Sequence, residues 1–90
     1  MPLSKRQFHR ITKALADPRR YEILKHIATS KELACSDLRC TVPVTAATLS
    51  HHIKDLVDAG LVEVRREGKF MHMTLRRDVW KQYVSALNQL

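Results

Sequence analysis

Ninety residues with 16 Lys and Arg against 9 Asp and Glu, a net charge of +7, allow one domain with a small core and favour a polyanionic partner. No apolar run is long enough to cross a bilayer and MPLSKRQFHR lacks the apolar stretch of a secretory signal, so no membrane partner and a cytoplasmic location are expected. No nucleophile, base and oxyanion arrangement appears and neither glycine sits in a phosphate-cradling loop, so neither an enzyme nor a bound cofactor is expected.

Residues about 4 to 16 form a first helix with Phe8, Ile11 and Leu15 on one stripe. Asp17-Pro18 supply an N-cap and a proline at the first helical position, opening a second helix whose core face is Tyr21, Leu24, Ile27 and Ala28. Arg19 and Arg20 fall in its first turn, opposed to the helix dipole, which points toward an anionic contact rather than toward stability. Ser30 caps a third segment or begins a loop to one, with Leu33 and Leu38 facing inward. The proline in Thr41-Val42-Pro43-Val44 stops any helix there, so this is the turn of a helix-turn-helix spanning 31 to 59.

Thr45 is an N-cap for the next helix, whose apolar stripe is Leu49, Ile53, Leu56 and Val57 and whose left-handed stop is Gly60. Its outward residues are Ala46, Ala47, Thr48, Ser50, His51 and Lys54, small, hydroxyl-bearing and basic groups gathered near the N-terminus, where a major-groove helix touches base edges. For a lone helix, a plain solvated face would be the better explanation. A hairpin directly behind this helix shifts the balance. From Leu61 the period becomes two, with Leu61, Glu63 and Arg65 on one face and Val62, Val64 and Arg66 on the other; Glu67-Gly68 turn, and Lys69 begins a return strand through Met71, Met73 and Leu75. The hairpin, 61 to 75, thus carries Arg65, Arg66 and Lys69 at its tip, cations suited to phosphate or minor-groove contact, although charged hairpins also protect sheet edges from aggregation.

A last helix, about 78 to 89 and starting at Asp78, shows Val79, Trp80, Tyr83, Val84 and Leu87. With the first helix it offers more apolar surface than so small a domain covers, so residues 1–16 and 78–90 read as dimerisation helices with Phe8, Ile11, Leu15, Trp80, Tyr83, Val84 and Leu87 at the interface. The competing possibility is that the two helices simply pack on each other within one subunit. The expected fold is therefore mainly α with a small β-hairpin: a winged helix-turn-helix of about five helices plus a two-stranded wing, homodimeric through its terminal helices. The expected DNA-binding set is Arg19, Arg20, Thr45, Ala46, Thr48, Ser50, His51, His52, Lys54, Arg65, Arg66 and Lys69.

The segments ALADPRRYEILKHI and TLSHHIKDLVDAGLVEVRREGKFMHMTL, with Asp37-Leu38 between them, resemble the ArsR/SmtB family of dimeric winged-helix repressors in order and spacing over almost the whole chain. The resemblance implies a homodimeric transcriptional repressor on double-stranded operator DNA, an inverted repeat, with helix 45–59 in the major groove, the wing along the flanking groove, and release by a small-molecule or redox effector. The family's metal positions do not carry over. Where arsenite and cadmium sensors resemble Glu-Leu-Cys-x-Cys-Asp-Leu, this chain has Glu32-Leu33-Ala34-Cys35-Ser36-Asp37-Leu38, with Ala34 and Ser36 at both thiolate positions. Where zinc sensors carry Asp-x-His on the last helix, Asp78 is followed by Val79 and Trp80, and no His follows His72, so no metal site is expected. On one helix Cys35 and Cys40 would lie on different faces and too far apart for an unstrained bridge. Buried free cysteine is the default, with a thiol-based redox or metalloid-responsive regulator using Cys35 and Cys40, or a winged-helix protein-interaction module, as alternatives.

Overall fold

A computed structural model describes residues 3–29, 33–34 and 44–90. In chain order these form α1 (Lys5–Leu15), α2 (Pro18–Ala28), a two-residue strand β1 (Leu33–Ala34), α3 (Ala46–Asp58), β2 (Val62–Glu67), β3 (Phe70–Leu75) and α4 (Arg77–Asn88). Leu33 is described as part of the β1 backbone alone; expectations for Ser30, for Leu38 facing inward, for Cys35 and Cys40 and for the turn at 41–43 lie outside the described residues.

Three helix starts are set by short polar side chains. Ser4 accepts from the Gln7 backbone N–H at 3.1 Å, Asp17 from those of Arg19 and Arg20 at 2.8 and 3.4 Å, and Thr45 from that of Thr48 at 3.2 Å, satisfying donors that the first helical turn leaves open. The last helix begins one residue earlier than expected: Arg76 is its N-cap without a side-chain bond, and Asp78 lies inside the first turn, where a carboxylate suits the helix dipole. α3 ends as read, with Gly60 at φ 82° and its N–H on the Val57 carbonyl.

The strands form an antiparallel sheet in the order β1-β3-β2, so the wing gains a third strand that its sequence does not announce. Within the hairpin Val62 pairs with Leu75, Val64 with Met73 and Glu67 with Phe70. The turn is therefore Gly68-Lys69, one residue later than Glu67-Gly68. Gly68 has φ 61° while Lys69 keeps a negative φ, the pattern of a type II′ hairpin turn, which needs glycine in its first central position.

Ile11 from α1, Ile23 and Ile27 from α2, Leu49 and Leu56 from α3, Leu61 and Met73 are fully enclosed and lock the three helices to the sheet. Two expected core positions are not there: Tyr21 is 51% exposed, its place on α2 taken by Ile23, and Val57 is also exposed. The aliphatic Ile23 needs no polar outlet, whereas the Tyr21 hydroxyl gains from facing water. Two expected interface residues turn out to belong to the subunit itself. Ile11 is buried under α2 and α3, and Tyr83 is 5% exposed, with its ring 5.0 Å from Phe8 and its hydroxyl 3.0 Å from the Thr12 hydroxyl. α1 and α4 thus pack on each other first, leaving Phe8, Leu15, Trp80 and Val84 half-buried and Leu87 exposed.

Candidate nucleic-acid interface

The exposed face of α3 follows from its buried one. Leu49, Ile53 and Leu56 point into the core, so Thr45, Ala46, Ala47, Thr48, Ser50, His51 and Lys54 stand in solvent, with Ser50, His51 and Lys54 within about one helical turn. Thr45 does two jobs: its oxygen caps the Thr48 N–H, and its hydroxyl hydrogen goes to the Thr48 hydroxyl at 2.9 Å, pinning that oxygen at the helix N-terminus. The positive end of the helix dipole and a set of small side chains therefore meet at one place, the arrangement that lets a helix approach phosphate and base edges closely.

The hairpin stands behind α3, to which β2 is packed. Arg65, Arg66, Gly68 and Lys69 are all exposed. Arg65 reaches the Glu67 carboxylate at 3.5 Å, in an exposed contact that holds weakly and can yield to another anion. The Lys69 ammonium lies 5.9 Å from the centroid of the Phe70 ring.

The two arginines of α2 have different surroundings. Arg19 is exposed and meets only Glu22, at 3.6 Å, among the described residues. Arg20, expected at the DNA, is held within the subunit: its guanidinium donates to the Ala14 carbonyl at 2.8 Å, the Lys13 carbonyl at 3.1 Å and the Asp55 carboxylate on α3 at 3.2 Å, and lies 3.7 Å from the Asp17 carboxylate. It closes the C-terminal end of α1 and ties it to α3, a cation where the helix dipole wants one. His52 is half-buried, and its Nδ1 has no hydrogen-bond partner among the described residues, so this side chain faces the protein more than the solvent. The Asp17 carboxyl is held below its ordinary value by the Arg19 backbone N–H first and then, against the opposing effect of desolvation, by the Arg20 N–H and guanidinium and by His52.

Residues that sequence reasoning passed over fix how α3 is presented. Gln7 donates its side-chain amide to the Ala59 carbonyl at 3.4 Å, and the Arg10 guanidinium lies 3.5 Å from the Asp58 carbonyl, so α1 grips the C-terminal end of α3. At the other side of the molecule Arg77 donates to the Ala28 carbonyl at 2.9 Å, fastening α4 to the end of α2. No local pattern announces these contacts, since the partners lie some 50 positions apart. Among the described residues no three His, Cys, Asp or Glu side chains gather as a metal centre requires, and no helix is long and apolar enough to cross a membrane.

Comparison with known proteins points the same way as this geometry. Residues 15–65 match a family described as a helix-turn-helix domain. An arsenical resistance operon repressor from Staphylococcus xylosus is 36% identical over 83 residues, covering 92% of this chain and 78% of that protein. An uncharacterized HTH-type transcriptional regulator, YceK, from Bacillus subtilis is 33% identical over 75 residues, covering 82% of this chain and 75% of the relative. Among solved structures, the homodimeric winged helix-turn-helix DNA-binding domain Mb0332 from Mycobacterium bovis, a possible ArsR-family regulator, superposes with a TM-score of 0.76 at 30% identity, over 97% of this chain and 86% of that one.

Proposed function

The chain belongs to the ArsR family of winged helix-turn-helix DNA-binding transcriptional regulators, and from that premise we propose that two copies, paired through α1 and α4, sit on an inverted-repeat operator in the cytoplasm and repress the adjoining gene. The observation that carries this is the joint exposure of the α3 N-terminus and the cationic hairpin, while the opposite faces of both elements are closed into the core. In this arrangement Ser50, His51 and Lys54 read base edges in the major groove. Arg19 and the α3 N-terminus with Thr45, Ala46 and Thr48 meet phosphate, and Arg65, Arg66 and Lys69 follow the flanking groove. Arg20 and His52 support the reading helix from behind, through the Asp55 contact and the packing described above.

Residues 1–90 act as one domain in this proposal, with no catalytic role and no resident metal. The half-exposed Phe8, Leu15, Trp80 and Val84 and the exposed Leu87 form the pairing surface, alongside a groove of about 510 Å³ between α1 and α4 lined by Leu3, Phe8, Lys81 and Ala86. Several relatives are named for arsenical resistance, which favours a thiophilic or redox signal as a second reading of what releases the repressor. Cys35 and Cys40, the chain's two cysteines, are the thiols it would act through.

Duplex titration across a salt series tests the proposal. Ser50→Ala and Lys54→Ala are expected to change which sequences bind, whereas Arg66→Ala weakens all duplexes alike and lowers the salt slope by about one. Equal losses on every sequence for all three variants would remove base readout, and a chain that leaves duplex DNA unretarded in dilute salt would leave only the protein-interaction module.

A further inference from the structure

We propose that Phe70 is an apolar wedge that enters the minor groove beside each half-site and unstacks a base step, so that the hairpin bends the duplex as well as holding it. This rests on the hairpin being a DNA-contacting wing. Large exposed hydrophobics among the described residues are Tyr21, Val57, Phe70, Leu87 and Leu90, and Phe70, at 55% exposure, is the one on the hairpin. The register explains why the ring cannot turn inward: Val62, Val64, Met73 and Leu75 share the core-facing side, and Phe70 belongs with His72 and Thr74 on the other. It forms the closing pair with Glu67 immediately after a two-residue turn, a short and stiff mounting for a protruding ring.

The surroundings of the ring suit a groove rather than a protein partner. Lys69 lies 5.9 Å from its centroid, Arg65 lies on the same face of the hairpin, and Arg66 on the other. Protein interfaces tend to exclude such a density of charge from their apolar centre, whereas a minor groove offers phosphate on both walls and base steps between them. Among the described residues Glu67 is the one acidic group on the ring's side of the tip, and Arg65, at 3.5 Å from its carboxylate, and the neighbouring Lys69 outnumber that one negative charge. Cations on the groove walls then place the phenyl ring against the bases, where an apolar side chain replaces water and charge would be wasted.

The test uses the full chain and a duplex it retards, with a fluorescent base analogue at the step flanking the half-site and a donor and acceptor on the two ends. Phe70→Ala is expected to weaken binding about ten-fold while leaving the slope of affinity against salt unchanged, because an apolar contact releases no counterions. It should also abolish both the unstacking signal and the end-to-end shortening, with an unchanged melting temperature for the free protein. Phe70→Leu, still apolar, should keep most of the affinity and part of the bend. Wild-type affinity and bending in Phe70→Ala would overturn the wedge, and so would a loss accompanied by the same reduced salt slope as Lys69→Ala, which would make the ring a mere support for the ammonium. If the wild-type chain retards no duplex, the DNA-binding reading itself fails; if it binds and Phe70→Ala matches it, only the wedge does.

Discussion

Replacing Arg20 by alanine separates a structural arginine from a DNA-contacting one. In the folded chain its guanidinium satisfies the Ala14 and Lys13 carbonyls at the end of α1 and the Asp55 carboxylate on α3, with the side chain 20% exposed. A charged hydrogen bond of this kind is worth about 1.5–3 kcal/mol when its loss strands a buried partner, and less when water takes over. Ala14 is buried and Lys13 is exposed, so the first carbonyl loses its partner outright while the second is resolvated. The Asp55 pair, half open to solvent, adds under about 1 kcal/mol. The total is about 2–3 kcal/mol, a fall in melting temperature of roughly 10–20 °C for a domain of this size. Circular dichroism melts at one fixed protein concentration, necessary for a dimer, measure the loss. Salt titrations of duplex binding well below the melting point then show whether the slope moves. Destabilisation with an unchanged slope is expected, and Arg20→Lys should recover only part of the stability because one ammonium cannot span three acceptors. A native melting temperature with the slope lowered by about one would refute the reasoning and return Arg20 to the DNA.

Three further outcomes are expected from the same packing. Gly60→Ala and Gly68→Ala should each cost about 1–2 kcal/mol in urea unfolding, because both residues have positive φ. A Cβ at Gly60 would also meet the Gln7 amide nitrogen, but that is the movable end of a flexible side chain and swings aside, whereas nothing lies near one at Gly68; a neutral substitution at either site would contradict the turn geometry. Tyr83→Phe should lower subunit stability by about 1 kcal/mol through the lost Thr12 contact and leave the dimer dissociation constant unchanged; a weakened dimer with an intact fold would put Tyr83 back at the interface. The carboxyls of Asp17 and Asp78 are held below 3.8, chiefly by the backbone N–H groups of Arg19 and Val79 respectively. The unfolded chain therefore takes up these protons first, so their stabilisation is complete above 3.8 and lost as pH falls through the depressed folded values. Urea midpoints against pH should drop on that acid side less steeply in Asp17→Asn, and an identical acid limb would count against the cap.

What the sequence made legible were features whose cause is local. Asp17 and Thr45 each announce a helix start by accepting from a backbone N–H two or three residues on, and Gly60 announces the stop of α3. The hairpin was visible from its alternation, but its turn was placed one residue early because the deciding constraint is conformational: Gly68 must take the first central position with φ 61°, which leaves Glu67 in the strand. α2 carries apolar residues at 21, 23, 24 and 27, more than one stripe can use, so periodicity alone did not choose Ile23 over Tyr21. Arg20 and Asp55 are 35 positions apart, and Thr12 and Tyr83 are 71 apart; such contacts arise only from the packing of α2 against α3 and of α1 against α4, which charge and spacing do not encode. For that reason Arg20 reads in sequence as a free cation and Tyr83 as a free apolar surface. The exposed face of α3 was legible because it is the complement of a clean buried stripe.

Selection of bound sites from a random duplex library tests most directly whether two joined subunits present paired reading helices to DNA. The expected enriched sites carry two inverted half-sites whose centres are one helical turn, ~34 Å, or a whole multiple of it apart, with binding lost when half a turn is inserted between them. Enrichment of single half-sites indifferent to spacing, or no enrichment at all, would contradict it.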